Sequence, residues 1–262
     1  MKNILIFSKR NAKEILRDPL SILFNVIFPV LMLFVFQLII SSMTKEEIAS
    51  GTPQFQIERL APGLCMFSFS FLMLFTGMLV ARDRQTSFLN RIKSSPLKVK
   101  DFIFGYALPM IPLGLVQIIL CYSLAFIFGL KLTGGLLLSI IISLPIMLFY
   151  IFLGILLGAL LTDKTVGGIA SAVISFGSIF GGIFMPLDLM EGSAIYKIAY
   201  ALPFANSLKA IDCAINLSFS SFGLPFIITI SYSIVTIIVS IIIFAFSITP
   251  ITFQNDTYYT IA

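Results

Sequence analysis

Few residues in this sequence have the type and spacing that catalysis requires. Histidine is absent, and the only adjacent acidic pair, Glu46 and Glu47, falls in a polar stretch that reads as a solvated loop. Cys65, Cys121 and Cys213 lie in or beside apolar runs with neither CxxC nor Cys/His spacing, which suits packed thiols better than metal ligands. A self-powered pump would carry the phosphate-binding pattern GxxxxGKS/T, whose amides and lysine hold nucleotide phosphates. That pattern is missing, so no catalytic, cofactor-binding or metal-binding residue is assigned.

The chemistry that remains is docking, and two basic stretches have the pattern for it. On a helix from Ile4 to Arg17, the residues Ile4, Leu5, Ala12, Ile15 and Leu16 gather on one side, and Lys9, Arg10, Lys13 and Arg17 on another. Pro19 then ends the helix, which is expected to lie in the membrane interface with its cations toward lipid phosphates. The second stretch is ARDRQTSFLNRIKSSPLKVKD, ending at Asp101. It puts Phe88, Leu89 and Ile92 on one face with Arg84, Arg91 and Lys93 around it, and Ser94 to Pro96 stop it. Such a face can seat in a groove on a partner or dip into lipid, and periodicity alone leaves both readings open.

These stretches must be positioned by membrane-spanning elements. Hydrophobic residues make up 58% of the 262 residues, charged residues 11%, and the mean hydropathy is +1.06, more apolar surface than a soluble domain of this size can hide. A span needs about 20 apolar residues, and a charge at the bilayer centre costs a few kcal/mol or more. Six charge-free windows are long enough: Pro19 to Thr44, Leu60 to Ala81, Phe102 to Leu130, Leu132 to Thr162, Thr165 to Leu187, and Cys213 to Asn255. In the last, Asn216, Ser218, Ser220, Ser221, Gly223 and Pro225 interrupt the first part, which predicts one span over about Phe226 to Ile248.

Lysine and arginine favour the cytoplasmic side of short loops. With the amino terminus inside, five precede the first span, six lie between Arg82 and Lys100, and Lys164 adds another, against five on the opposite side. Both termini are then cytoplasmic. The basic balance is explained by topology and anionic lipid, so a nucleic-acid partner is not expected. The proposed spans contain no ionisable group, which argues against a membrane-embedded enzyme and against ion-driven transport. The expected fold is an all-α polytopic membrane protein: one domain over 1–262 with six transmembrane helices and an amino-terminal interfacial helix over 1–19. It has a cytoplasmic loop over 82–101 and an outer region over 187–221 too polar to span.

Three segments in order carry a resemblance that covers nearly the whole chain. They are LRDPLSILFNVIFPVLMLF entering the first span, ARDRQTSFLNRIKSSPLKVKDFIFGYAL after the second, and FGSIFGGIFMPLDLMEGSAIYKIAYALPFANSLKAI after the fifth. The chain resembles the ABC-2 type permeases, six-helix membrane subunits of ATP-binding-cassette exporters. Gln85 stands where a glycine is common before the threonine, and Glu191 where a proline often follows the methionine.

The resemblance implies that the segment up to Pro19 is a connecting elbow helix, and that Thr86 to Lys93 belongs to the coupling region facing the ATPase. Arg84, Thr86, Phe88, Leu89, Arg91 and Ile92 are the coupling candidates. It implies that Gly181, Gly182, Pro186 and Pro203 bracket re-entrant outer helices. It further implies two permeases, alike or unlike, assembled with two ATPases that hold ATP and magnesium, in membrane lipid of a bacterial plasma membrane. The family's dimer face involves the first and fifth helices, which makes Gly177 and Gly181 candidates for it. A path lined by apolar residues, with Asn25 and Gln37 among its few polar contacts, suits an amphipathic or lipid-like cargo, and the first-helix wording is closer to drug and antibiotic-peptide exporters. The residues alone also admit a passive immunity or sensor protein, and an embedded enzyme.

Overall fold

The computed structural model describes residues 2–42, 56–86, 99–185 and 187–248, and within them every regular element is helical. Helix α1 (Lys2–Arg17) precedes α2 (Pro19–Ser42), and the turn between them is built by Asp18 and Pro19. Asp18 is extended and its carboxylate accepts from the Leu20 amide at 3.2 Å, while Pro19 occupies the first helical position, where its missing N–H costs nothing. Within α2, Leu23–Ile27 form a π turn, a widened turn with i to i+5 hydrogen bonding. The widening holds back the rotation that a four-residue repeat would otherwise accumulate, so Ser21, Asn25, Pro29 and Leu33 all stay buried on one ridge.

Helices α3 (Ile57–Gln85), α4 (Val99–Ile127), α5 (Gly134–Leu160) and α9 (Phe219–Ile248) complete, with α2, a set of five helices long and apolar enough to cross a membrane among the described residues. The chain is an all-α, multi-pass membrane protein. Helix α3 is its hub: 78% of its most apolar window is buried, against 17% for α2 and 22% for α9, which therefore lie at the periphery. Close approach of α5 to α3 depends on two glycines. A Cβ at Gly154 would lie 2.4 Å from the Met73 carbonyl oxygen, and one at Gly158 would lie 2.5 Å from that of Gly77, so the four-residue glycine spacing is used inside this chain.

Helices α6 (Asp163–Phe180) and α8 (Pro203–Ile215) pack on that hub, and the short α7 (Ala194–Ala201) lies against α6 and α8. Helix α6 stops at Gly181, and Gly182 follows at a φ of +72°, a left-handed turn that glycine adopts freely. A single 3-10 turn, Leu187–Met190, leads to α7, which Ser193 caps by accepting from the Tyr196 amide. Pro203 opens α8, whose Phe204, Leu208 and Ile211 are buried against the bundle.

Six spans were expected and five helices meet the length and apolarity of one among the described residues: the window from Thr165 to Leu187 holds an 18-residue helix that ends at Phe180, and two further windows differ in their boundaries. Helix α3 continues past Ala81 through Arg82–Gln85, because Asp83 turns inward to partners described below. Helix α9 begins at Phe219 and runs through Pro225, where a break was expected. The proline lies near the helix start, so few hydrogen bonds are lost. Apolar residues continue the helical repeat across it, and the Phe222 and Phe226 rings stack at 4.9 Å between centroids.

Candidate functional site: the basic end of the helix bundle

The carboxyl end of α3, the start of α4, the junction of α5 and α6, and helix α1 meet at one end of the bundle. The carboxyl end of α9 arrives there too, where the Ser247 hydroxyl donates to the Ala159 carbonyl at 3.3 Å. At the centre is Asp83, only 2% exposed. Arg10 of α1 binds it through both guanidinium nitrogens, at 2.5 and 2.9 Å, and the Tyr106 hydroxyl of α4 donates to the same carboxylate at 2.9 Å. Such a bidentate pair fixes orientation as well as charge. Arg10 also reaches Glu14, one turn on, at 2.8 Å. Burial opposes the Arg10 charge, but the Asp83 hydrogen bond and the attraction of Asp83 and Glu14 outweigh it and hold the guanidinium above its ordinary range.

Helix α1 is thereby docked in a fixed register. Phe7 lies over Gly105, where a Cβ would collide with its ring, and meets Phe102 and Tyr106 edge-on at 5.5 and 5.0 Å. The Asn11 amide donates to the Gly105 carbonyl at 3.0 Å. The single apolar face expected from the sequence is in fact two. Ile15 joins Phe7 and Asn11 against the bundle, while Leu5 and Leu16 are 59% and 66% exposed beside Lys9 and Lys13. Arg10, expected to reach toward lipid, points instead at Asp83.

Arg84 and Thr86 were expected to face the ATPase. The structure places the Arg84 guanidinium 2.7 Å from the Gly158 carbonyl oxygen and 3.4 Å from that of Leu161, where it caps the carboxyl end of α5. Thr86 ends α3: its amide donates to the Arg82 carbonyl and its hydroxyl to that of Asp83, at 3.1 and 3.2 Å. Arg82 bridges Glu14 at 4.0 Å and Asp163 at 3.9 Å. Phe88, Leu89, Arg91 and Ile92 lie outside the described residues.

The remaining assignments fall away from this end. Asn25, expected along a cargo path, is fully buried, and Gln117 of α4 donates to its side-chain oxygen at 3.1 Å, to its backbone carbonyl at 2.9 Å and to the Ser68 carbonyl at 3.3 Å. Gln117 thus ties α4 to α2 and α3, and Asn25 is enclosed in that contact, where an amide left unpaired would be costly. Gln37 is half-buried on the same helix as Asn25. Gly177 and Gly181, expected at a dimer face, turn toward Phe204 of their own chain: added Cβ atoms would lie 3.4 and 3.3 Å from its side chain.

What the geometry can do is mechanical. Asp83, two residues before the end of α3, holds α1 through Arg10 and α4 through Tyr106, and its neighbours Arg84 and Arg82 reach the end of α5 and the start of α6, so the carboxyl end of α3 is tied to all four. No group of three His, Cys, Asp or Glu side chains able to hold a metal occurs among the described residues. A family model for the ABC-2 type transporter matches residues 2–212, most of the chain. The protein belongs to the ABC-2 type transporter family. It is therefore a membrane permease subunit, a transport component without catalysis of its own, and the match runs from α1 through the Asp83 cluster into α8. ABC-2 permeases generally pair with an ATPase subunit and act as dimers in the membrane. No match was found among curated proteins.

Proposed function

We propose that this permease is the membrane half of an ATP-driven exporter that moves an amphipathic cargo (a drug, an antibiotic peptide or a lipid-like molecule) outward, and that its basic end is the cytoplasmic one. The Asp83 cluster carries the reading. A loop that only joined two spans would have no need of a buried, bidentate ion pair at its root. One that receives force from an ATPase needs a stiff link to the rest of the bundle. In this reading Phe88, Leu89, Arg91 and Ile92 meet the ATPase, and Arg84 and Thr86 hold the root of the coupling segment. ATP and magnesium stay on the partner.

Six spans are proposed, with α6 as the fifth. At its start Arg82 bridges to Asp163, and just beyond its end Ile183 packs on Gly63, so this segment runs antiparallel along most of α3. An 18-residue helix is about 27 Å long, close to the apolar thickness of a bilayer. Both termini are then cytoplasmic, and α7 and α8 dip back from the outer side, with the Tyr196 and Tyr200 rings in tilted contact, 4.5 Å between centroids, near the outer interface. The exposed apolar sides of α2 and α6, carrying Leu31, Phe34 and Leu38 and then Ile169, Phe176 and Ile179, are free to meet a second permease. Extraction of the tagged chain in a gentle detergent tests the proposal. It predicts a copurifying ATP-binding-cassette ATPase, and repeated recovery of the permease without one, from cells that express it natively, contradicts it.

A further inference from the structure

The strongest feature left unused is a groove of about 820 Å³ at the basic end, between α1, the Asp18–Pro19 turn and the carboxyl half of α3. Its rim carries Lys9, Lys13, Arg17 and Arg82, and its floor includes Phe75 and Met78. Of the two acids in its lining, Glu14 pairs with Arg10 at 2.8 Å and lies 4.0 Å from Arg82, which also reaches Asp163 at 3.9 Å, and Asp18 accepts from the Leu20 amide at 3.2 Å while keeping its charge. Lys9, Lys13 and Arg17 are exposed and make no ion pair among the described residues, so the lining, in which cations outnumber Glu14 and Asp18, keeps an excess of positive charge. From Arg82 back to Phe75 is seven residues of helix, about 10 Å along the axis. The groove therefore grades from a cationic mouth to an apolar wall inside a span, over the distance from a phospholipid phosphate to the upper part of its acyl chains.

We infer that this groove binds one anionic phospholipid of the adjoining leaflet, its phosphate between Lys13, Arg17 and Arg82 and its acyl chain along Phe75 and Met78. The inference rests on the reading of α1 as an interfacial helix. A free phosphate or a soluble anion would be served by the rim alone, and a zwitterionic lipid carries a cation of its own that this rim repels. The apolar wall and the uncompensated charge together select an anionic lipid.

The test is native mass spectrometry of the full permease complex, extracted in gentle detergent, with phosphatidylglycerol or phosphatidylcholine of matched chains added. One phosphatidylglycerol is expected to be retained in preference to phosphatidylcholine. Each basic side chain near an anionic headgroup is worth roughly fivefold in binding, so the Lys13→Gln/Arg17→Gln variant is expected to lose about 25-fold in retention. Lys131→Gln, an exposed cation at the other end of the bundle, is expected to leave retention unchanged. Lys13→Arg/Arg17→Lys keeps the charge, and is expected to keep the lipid, which separates loss of binding from loss of folding. Equal retention of the two lipids, or unchanged retention in the Gln variant, overturns the inference. Displacement by millimolar inorganic phosphate also overturns it, in favour of a simple anion site. The same spectra show whether the ATPase is present, so failure of the lipid site and failure of the exporter reading are told apart.

Discussion

Removing either partner of the Arg10–Asp83 pair should be asymmetric, because the two side chains are buried to different degrees. The Asp83 side chain is 3% exposed and that of Arg10 is 35% exposed. Arg10→Met leaves a carboxylate at the root of the coupling segment with only the Tyr106 hydroxyl for company, and breaking a buried pair in this way costs about 3–5 kcal/mol. Asp83→Asn leaves a guanidinium that still has Glu14 at 2.8 Å and partial access to water, and an amide that can still accept from Tyr106. Its cost is that of weakening one charged hydrogen-bonded contact, about 1–2 kcal/mol. For a chain of this size each kcal/mol moves the unfolding midpoint by about 2–4 °C. Thermal unfolding of the purified permease in one detergent should therefore show Arg10→Met lower by roughly 10 °C and Asp83→Asn lower by only a few degrees. The double variant Arg10→Met/Asp83→Asn should be more stable than the sum of the single losses, by about 1–3 kcal/mol of coupling. Strictly additive losses, or a larger loss for Asp83→Asn than for Arg10→Met, would refute the argument that the pair acts as one buried unit.

Other substitutions probe the elements that hold this end in place. Gly158→Val drives a branched side chain against the Gly77 carbonyl and Val80, whose backbone cannot retreat, and overpacking of this kind costs about 1–3 kcal/mol or more. Size-exclusion profiles of the variant should show loss of the monodisperse species seen for the parent. Phe7→Ala removes a ring that is 6% exposed and packs on Phe102 and Tyr106, a cost of about 3 kcal/mol. Its readout is faster protease cleavage within α1, with the spans still inserted. Gln117→Leu breaks the contacts that its two N–H groups share among three acceptors on neighbouring helices, but it also removes a buried Oε1 that has no partner among the described residues. The net loss should be about 1–2 kcal/mol by the same thermal assay, smaller than three bonds would suggest.

The charge-free windows were legible because a lysine or carboxylate inside hydrocarbon is too costly to be common, and the five long apolar helices fall within four residues of the spans read from them except at the start of α9. There Ser220, Gly223 and Pro225 read as a break, while the phenylalanine repeat that overrides them becomes visible only once Phe222 and Phe226 are seen stacked. The helix over Lys2–Arg17 was legible from its period, but its division into two apolar sides was not. Ile4 and Leu5 are both apolar, and only the docking of Phe7 on Gly105 decides which of them turns inward. Asp83 was hidden for a related reason: in the run ARDRQ a single acid among arginines looks like solvated charge, and its partners Arg10 and Tyr106 are distant in sequence. An acid at the end of a span, flanked by arginines and facing a polar residue at inward helical positions such as Asn11, is the signal that would have pointed to it. Asn25 and the glycines at 177 and 181 carry the opposite lesson, since a polar group or a small residue in a span serves internal packing as readily as transport.

In the proposed mechanism the segment following Thr86 meets an ATPase and Asp83 carries its movement into the bundle. Cysteine cross-linking from Phe88→Cys and Ile92→Cys in native membranes tests this most directly, read by mass spectrometry of the adduct, with and without ATP. Adducts to an ATP-binding-cassette subunit are expected from both positions, with yields that change on ATP addition and stop changing in Arg10→Met. Adducts only to lipid or to other copies of this chain would contradict it, as would ATP-dependent yields that Arg10→Met leaves untouched.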